Sequence, residues 1–246
     1  MRDQKHNFAI YYAGLSVKRQ THLVVTDLEI VHRIGKILRL TAGDEVTLFN
    51  NNGAVTGLIT LVDKKSLIIE SVTWSHHQAL MPEIVVGLGL LKKENFENAL
   101  YSCVELGANC IAPIMFAKST PQKLNQERID KILFAAAEQS KNFHLPTYYE
   151  PVLFPKFLSQ IGQDLETIYI YCDVSGQGML EVVTQIKKKS GYKIVLIVGP
   201  EGDLTTQEKE HLQAQPNLIF MRLTPTILRS FQAVTVALGA LRSLLN

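Results

Sequence analysis

Cysteine, net charge and long apolar runs are all scarce in this chain of 246 residues. The three cysteines, Cys103, Cys110 and Cys172, are an odd number without a C-x-x-C pair, so neither a disulfide framework nor a zinc site is indicated and buried thiols are expected. A formal net charge of +2 names no partner. What excess there is lies in the first 80 residues, with 9 Lys/Arg against 7 Asp/Glu and five of the seven histidines, a distribution compatible with nucleic acid. No apolar run approaches the roughly 20 residues of a membrane span, and Met1-Arg2-Asp3-Gln4 lacks the apolar core of a signal peptide, so a cytoplasmic protein without a membrane partner is expected. There is no G-x-x-x-x-G-K-S/T phosphate loop, no G-x-S-x-G nucleophile elbow and no H-E-x-x-H or comparable metal spacing, and no metal is expected. Gly87-Leu88-Gly89 begins like a dinucleotide fingerprint, but Lys92 takes the third glycine position and the glycines fall inside a strand instead of after it. Internal repeats and low-complexity tracts are absent.

What is present suits a substantial core, with 46% hydrophobic and 20% charged residues, in one large domain or two unequal ones. The first third reads as a small, mostly β unit. Asp27 is placed to cap a helix running to about Leu38, with Leu28, Val31, Ile34 and Leu38 on its apolar face. Gly43-Asp44 turns into a strand over 45–49, and Asn51-Asn52-Gly53 reads as a hairpin turn because Asn and Gly tolerate positive φ. Strands follow near 54–62 and 66–73, and 74–82, closing on Pro82, reads as a linker.

From Glu83 strands and helices alternate. The expected order is a strand over 84–91, a helix over 94–106 closed by a left-handed Gly107, a strand over 111–116, a helix over 126–140 and a strand over 168–173. A helix from Met179 and a strand over 193–198 come next, then a helix opened by the capping-box pair Thr205 and Glu208 and a strand over 218–223. Ile227, Phe231, Val234, Leu238, Leu241 and Leu245 form one stripe on the final helix, which packs in the core or against a second subunit.

Chemistry concentrates near the end. Lys193–Val198 has no polar alternation, as for a strand covered on both faces, and Gly199-Pro200-Glu201-Gly202 then ends it. Ligands of open α/β sheets bind beyond the carboxyl ends of strands, so this turn is where a binding loop is expected. Ile227-Leu228-Arg229-Ser230 answers it, although Ile227 and Leu228 are equally readable as the first turn of a core helix. Farther upstream, His32, Lys36 and Arg39 recur at spacings of four and three with Arg33 beside them, a face for phosphate contact or simply a solvated basic one.

In order and spacing these segments resemble the ribosomal RNA small-subunit methyltransferase E family of the SPOUT (trefoil-knot) superfamily. The likeness runs through His32-Arg33, Lys36 to Arg39, Gly43-Asp44, Lys92, Glu105-Leu106-Gly107, Pro113, Ala137-Glu138-Gln139-Ser140 with Pro146, Gly199 to Gly202 with Glu208, and Ile227-Leu228-Arg229 with Ala233. The resemblance implies an α/β protein with a PUA-like RNA-binding β-barrel over 1–74, a linker over 75–82, and a SPOUT α/β domain with a C-terminal trefoil knot over 83–246. It further implies S-adenosylmethionine as methyl donor, a homodimer, and methylation of uridine N3 in small-subunit (16S) ribosomal RNA. Gly199, Pro200, Glu201 and Gly202 would form one cofactor loop and Leu223, Thr224, Ile227, Leu228 and Arg229 the other. Arg229 would stabilise the uracil anion, Glu201 would serve as base or orienter, and Gln139 and Ser140 would join His32, Arg33, Lys36 and Arg39 against RNA.

The chain departs from the family pattern at Ser102, Asn142, Asp203, Thr224 and Ser230-Phe231-Gln232. Those departures keep two alternatives open: a SPOUT methyltransferase with a different RNA target, and a non-catalytic RNA-binding or ribosome-assembly protein.

Overall fold

Apolar residues alternate with polar ones along the early strands and run unbroken along the later ones, and the two patterns give two different sheets. The computed structural model describes residues 8–16, 21–120, 122–161, 166–188, 192–215 and 218–245, so Met1 to Gln4, read above for a targeting signal, lie outside the described residues. Two compact units result, one of Met1–Gln78 with Ala137–His144 and one of Ala79–Ala136 with Leu145–Asn246.

The first unit holds β1 (Phe8–Tyr11), β2 (His22–Val25), α1 (Leu28–His32), β3 (Glu45–Asn50), β4 (Gly53–Val62) and β5 (Leu67–Ser75). The sheet order is β1-β3-β4-β5-β2, with β1 parallel to β3 and the other pairs antiparallel. Ile10, Val25, Ile34, Val46, Leu48, Val55, Leu67 and Ile69 make its core. Asp27 caps α1 as expected, its Oδ1 accepting from the Glu29 and Ile30 amides at 2.9 and 3.3 Å. The helix then widens into a π-helical turn over Arg33–Ile37, where the Leu38 amide reaches back five residues to the Arg33 carbonyl. The buried face of α1, ahead of that turn, also differs from the one expected. Val31 and Ile34 are buried, but Leu28 is 64% exposed and Ile30 takes its place inside. The hairpin pairs Asn50 with Gly53, and of the turn residues only Gly53 has positive φ, because Asn50 Oδ1 holds the Asn52 amide instead.

Two strands of this sheet, β1 and β2, carry no alternation long enough to be read from sequence. Nor does any pattern mark Ala137–His144 as belonging to this unit. Glu138 explains it: its carboxylate accepts from the Tyr11 amide at 2.9 Å and from both terminal nitrogens of Arg33. Phe143 adds ring contacts to Phe49 and His77, with centroids 4.6 and 4.8 Å apart.

The second unit contains β6 (Glu83–Gly89), α2 (Lys93–Glu105), β7 (Cys110–Met115), α3 (Gln126–Ser140, whose last turn counts with the first unit), β8 (Thr147–Tyr148), β9 (Val152–Leu153) and α4 (Phe154–Ile161). It continues with β10 (Thr167–Gly178), α5 (Met179–Lys187), β11 (Lys193–Val198), α6 (Thr206–Gln213), β12 (Leu218–Arg222) and α7 (Ser230–Leu245). The sheet runs β12-β10-β11-β6-β7-β8, with β9 also on β7, and every pairing is parallel. Gly107 ends α2 at φ +76°. Gly89 shows why a glycine stands inside β6: a Cβ there would lie 2.8 Å from the Pro200 nitrogen, so its absence lets the turn after β11 pack on the strand.

The final helix starts later than its stripe suggested. Thr224 Oγ1 donates to the Thr226 carbonyl at 2.6 Å and turns the chain, so Ile227 lies outside α7 while Val234, Leu238 and Leu241 are fully buried. Near its other end Arg242, 6% exposed, donates to the Gly107 and Pro82 carbonyls and to Asn109 Oδ1. Burial without a carboxylate among these partners pushes its pKa down to about 10.

Candidate active site

Neighbouring carboxyl ends of β10, β11 and β12 put three segments around one cavity of about 250 Å³. From β10 come Asp173 and Val174, which lie in an irregularity where the pairing with β12 jumps from Cys172 to Gln177. The turn after β11 contributes Pro200, Glu201 and Asp203, and the loop after β12 contributes Leu223, Thr224, Thr226, Ile227 and Leu228. The two loops singled out from sequence therefore meet.

The first loop is tied down on several sides. Asp203 takes φ +59°, a conformation usually left to glycine, and its carboxylate accepts from the Leu204 amide (2.8 Å), Tyr171 Oη (3.3 Å) and Lys209 Nζ (3.1 Å). Burial raises the Asp203 pKa, but the Leu204 hydrogen bond and the Lys209 ammonium outweigh it and hold the carboxyl below its ordinary value. Burial also pushes the neighbouring Tyr171 hydroxyl up, helped by the charges of Asp203 and Asp173. Behind the turn, Glu208 completes the expected capping box on Thr205 and uses its other oxygen to accept from the Ala117 amide at 2.7 Å. Gly202 faces Lys118, whose Cβ would be 3.1 Å from a Cβ at that position, so its close approach is to the protein's own chain.

The second loop is more open. Ile227 is 84% exposed, Leu228 is half-buried, and the Arg229 carbonyl accepts from the Ala233 amide to begin α7. Neither Ile227 nor Leu228 occupies the core-helix position that periodicity had left open. Arg229 falls in a second cavity of about 470 Å³ with Lys92, Asn95 and Ser230, and Glu201, Ile227 and Leu228 line both cavities. Across that shared wall Asn95 Nδ2 donates to Glu201 Oε1 at 2.5 Å.

Of the residues expected to hold a cofactor, Pro200, Glu201, Leu223, Thr224, Ile227 and Leu228 line the first cavity, Gly199 and Gly202 shape its turn, and Arg229 lines only the second. Sequence reasoning missed Cys172, Asp173, Val174, Met221 and Thr226 in the first cavity and Asn95 in the second, while Asp203, Ala233, Lys92 and Ser230 stood in its motifs without a site role. The rule that ligands sit beyond strand ends would have found Asp173 and Val174 had the adjacency of β10 and β11 been known. Cys172 is a thiol pushed up to about 12, by burial and then by Asp173.

The candidate RNA residues His32, Arg33, Lys36, Arg39, Gln139 and Ser140 all fall in the first unit. His32, Lys36 and Arg39 are exposed, with Arg39 at φ +55°. Arg33 differs from them, since its guanidinium is engaged by Glu138. Gln139 is exposed at the end of α3, and Ser140 Oγ accepts from the Asn142 amide.

Comparison with known proteins bears on the family and the fold. The family described as RNA methyltransferase domain matches residues 78–242, and the one described as RNA methyltransferase PUA domain matches residues 25–70. The ribosomal RNA small subunit methyltransferase E of Bacillus subtilis (strain 168) is 27% identical over 223 residues, 87% of this chain and 87% of its own length. Its Synechocystis counterpart is 28% identical over 220 residues, 88% of this chain and 71% of its own. The crystal structure of a ribosomal RNA small subunit methyltransferase E from Neisseria gonorrhoeae bound to S-adenosyl methionine shares the fold, with a TM-score of 0.81 at 22% identity over 97% of this chain and 98% of that one. The resemblance read from the sequence is borne out, as is an α/β architecture with an N-terminal PUA domain and a parallel-sheet SPOUT-type domain. With a match that covers residues 78–242, the chain belongs to the RNA methyltransferase family.

Proposed function

We propose that this RNA methyltransferase uses S-adenosylmethionine to methylate N3 of a uridine in small-subunit (16S) ribosomal RNA. The observation that carries the reading is the pair of adjoining cavities with Glu201, Ile227 and Leu228 as their common wall, one mostly apolar and one bearing Lys92 and Arg229. The first suits the cofactor by its chemistry: Val174, Met221, Leu223, Ile227 and Leu228 offer apolar surface to an adenine, while Asp173, Glu201 and Asp203 meet a molecule that carries a sulfonium and an ammonium.

When bound, S-adenosylmethionine supplies a methyl group already activated by its sulfonium and leaves as a neutral thioether. The protein must then hold the uracil in line and help N3 lose a weakly acidic proton. Glu201 accepts that proton or orients the base, and the Arg229 guanidinium stabilises the negative charge left on the ring, whose N3 lone pair forms the new bond to carbon. His32, Lys36, Arg39, Gln139 and Ser140 hold RNA, with Arg33 acting through Glu138 to tie the π-helical turn that carries Lys36 to the end of α3 that carries Gln139 and Ser140. A cytoplasmic homodimer with the SPOUT trefoil knot completes the proposal. Exposed Val174 and Leu180 favour a covering second subunit.

Incubation of the purified protein with labelled S-adenosylmethionine and unmodified small subunits, followed by nucleoside analysis, tests the proposal. N3-methyluridine is the expected product. Absence of both cofactor binding and transfer would overturn the enzymatic reading, and a different methylated nucleoside would redirect it to another RNA target.

A further inference from the structure

The second cavity holds a polar residue that neither the sequence motifs nor the mechanism above employs. Asn95 stands in the first turn of α2, whose N-cap, Lys92, makes no side-chain capping bond. Asparagine near a helix start commonly bonds the local backbone. This one instead spans 106 positions to donate from Nδ2 to Glu201 Oε1 at 2.5 Å. A carboxylate only accepts hydrogen bonds, so the amide must turn its NH₂ toward Glu201 and its Oδ1 away from it.

Resting on the function proposed above and deepening it, we propose that Asn95 is a positioning residue for the acceptor base: it fixes the Glu201 carboxylate in the wall between the two cavities, and the second cavity takes a uracil. Three features argue for this assignment. Asn95 and Glu201 line the same cavity of about 470 Å³ as Lys92 and Arg229. Because Glu201 lines the first cavity too, one hydrogen bond sets the geometry of both sides of the transfer. And the orienter is neutral. A lysine in its place would offset the Glu201 charge, whereas an amide leaves the carboxylate free to interact with the N3 proton and keeps the cations Lys92 and Arg229 for the anion.

The test compares the full-length wild type with Asn95→Ala, Glu201→Gln and the double variant. Asn95→Ala should lower kcat about tenfold or more while cofactor Kd stays within about twofold, and should shift the pH profile of kcat; in the Glu201→Gln background it should add little. A wild-type kcat and pH profile in Asn95→Ala, or an equal loss in both backgrounds, would overturn the assignment. A second measurement needs no turnover. With S-adenosylhomocysteine saturating the protein, the Asn95 side-chain NH₂ resonance, identified by its loss in Asn95→Ala, should move on titration with uridine 5′-monophosphate and stay in place with adenosine 5′-monophosphate. No movement with the uridine nucleotide sinks the inference. If wild-type protein methylates no small-subunit RNA, the proposed function fails, and the resonance titration still decides the role of Asn95.

Discussion

The loop after β11 and the loop after β12 meet at one cavity, yet the first is tied to β10, α6 and the Ala117–Lys118 turn while the second bonds chiefly within its own segment. In the first, Asp203 and Glu208 each accept several hydrogen bonds, so the turn is formed before any ligand arrives. In the second, an isoleucine 84% exposed stands where apolar surface is useful only once something covers it. One side of the site is preorganised, and the other is completed by what binds. Arg229 joins the two regimes: it ends the open loop but its carbonyl starts a helix whose inner face is core.

The largest effect should come from that junction. Arg229→Ala should lower kcat by about 10² to 10³ while changing cofactor Kd by no more than about twofold, in keeping with losing one preorganised charge donor. Single-turnover kinetics with calorimetry would show it, and unchanged turnover would remove Arg229 from the chemistry. Next comes the rigid side. Glu208→Ala removes the returning half of the capping box, the acceptor of the Thr205 amide, and leaves the Ala117 amide without its partner, for about 2 kcal/mol of lost stability, read from denaturant unfolding. A cost near zero would mean that the loop is not held as described.

Ile227→Ala probes the open side and should do the reverse. Melting of the free protein should stay within about 1 °C, because the side chain is solvated, while cofactor affinity falls about tenfold from lost apolar cover. Equal loss of stability and affinity would erase the contrast between the loops. The smallest effect is expected from Asp203→Asn. Since the folded state holds this carboxyl below its ordinary value, its stabilisation is present above the ordinary carboxylate range and is lost as pH falls through the lower folded value. The stability gap between wild type and variant should therefore be full near neutral pH and close in acid. Much of the side chain is solvent-exposed, which keeps the gap small.

Legibility from sequence followed the range of the forces involved. Local signals were reliable: the Asp27 cap, the Thr205–Glu208 capping box, the left-handed Gly107 and the apolar run of β11 are each decided within a few residues, and each is found. Periodicity failed at the ends of elements. Leu28, the first residue of α1, stays outside while Ile30 is buried, and the Thr224–Thr226 turn kept Ile227 off α7. At the site, the two loops were legible because glycine, proline and their apolar answer stand close together in sequence. Asp173 and Asn95 were not, since one depends on which strand lies beside β11 and the other on a hydrogen bond across 106 positions.

By itself, then, the order of residues determined the α/β alternation, the position of the glycine turn that ends β11 and the family to which the chain belongs, because propensity, capping and motif spacing are properties of neighbours along the chain. The tertiary structure alone decided which strand ends are adjacent, that Glu201 is shared between two cavities, that Arg33 is engaged by Glu138 and that Asp203 can stand in a glycine's conformation. Those outcomes follow from hydrogen bonds and packing between residues tens of positions apart, whose partners no local pattern specifies.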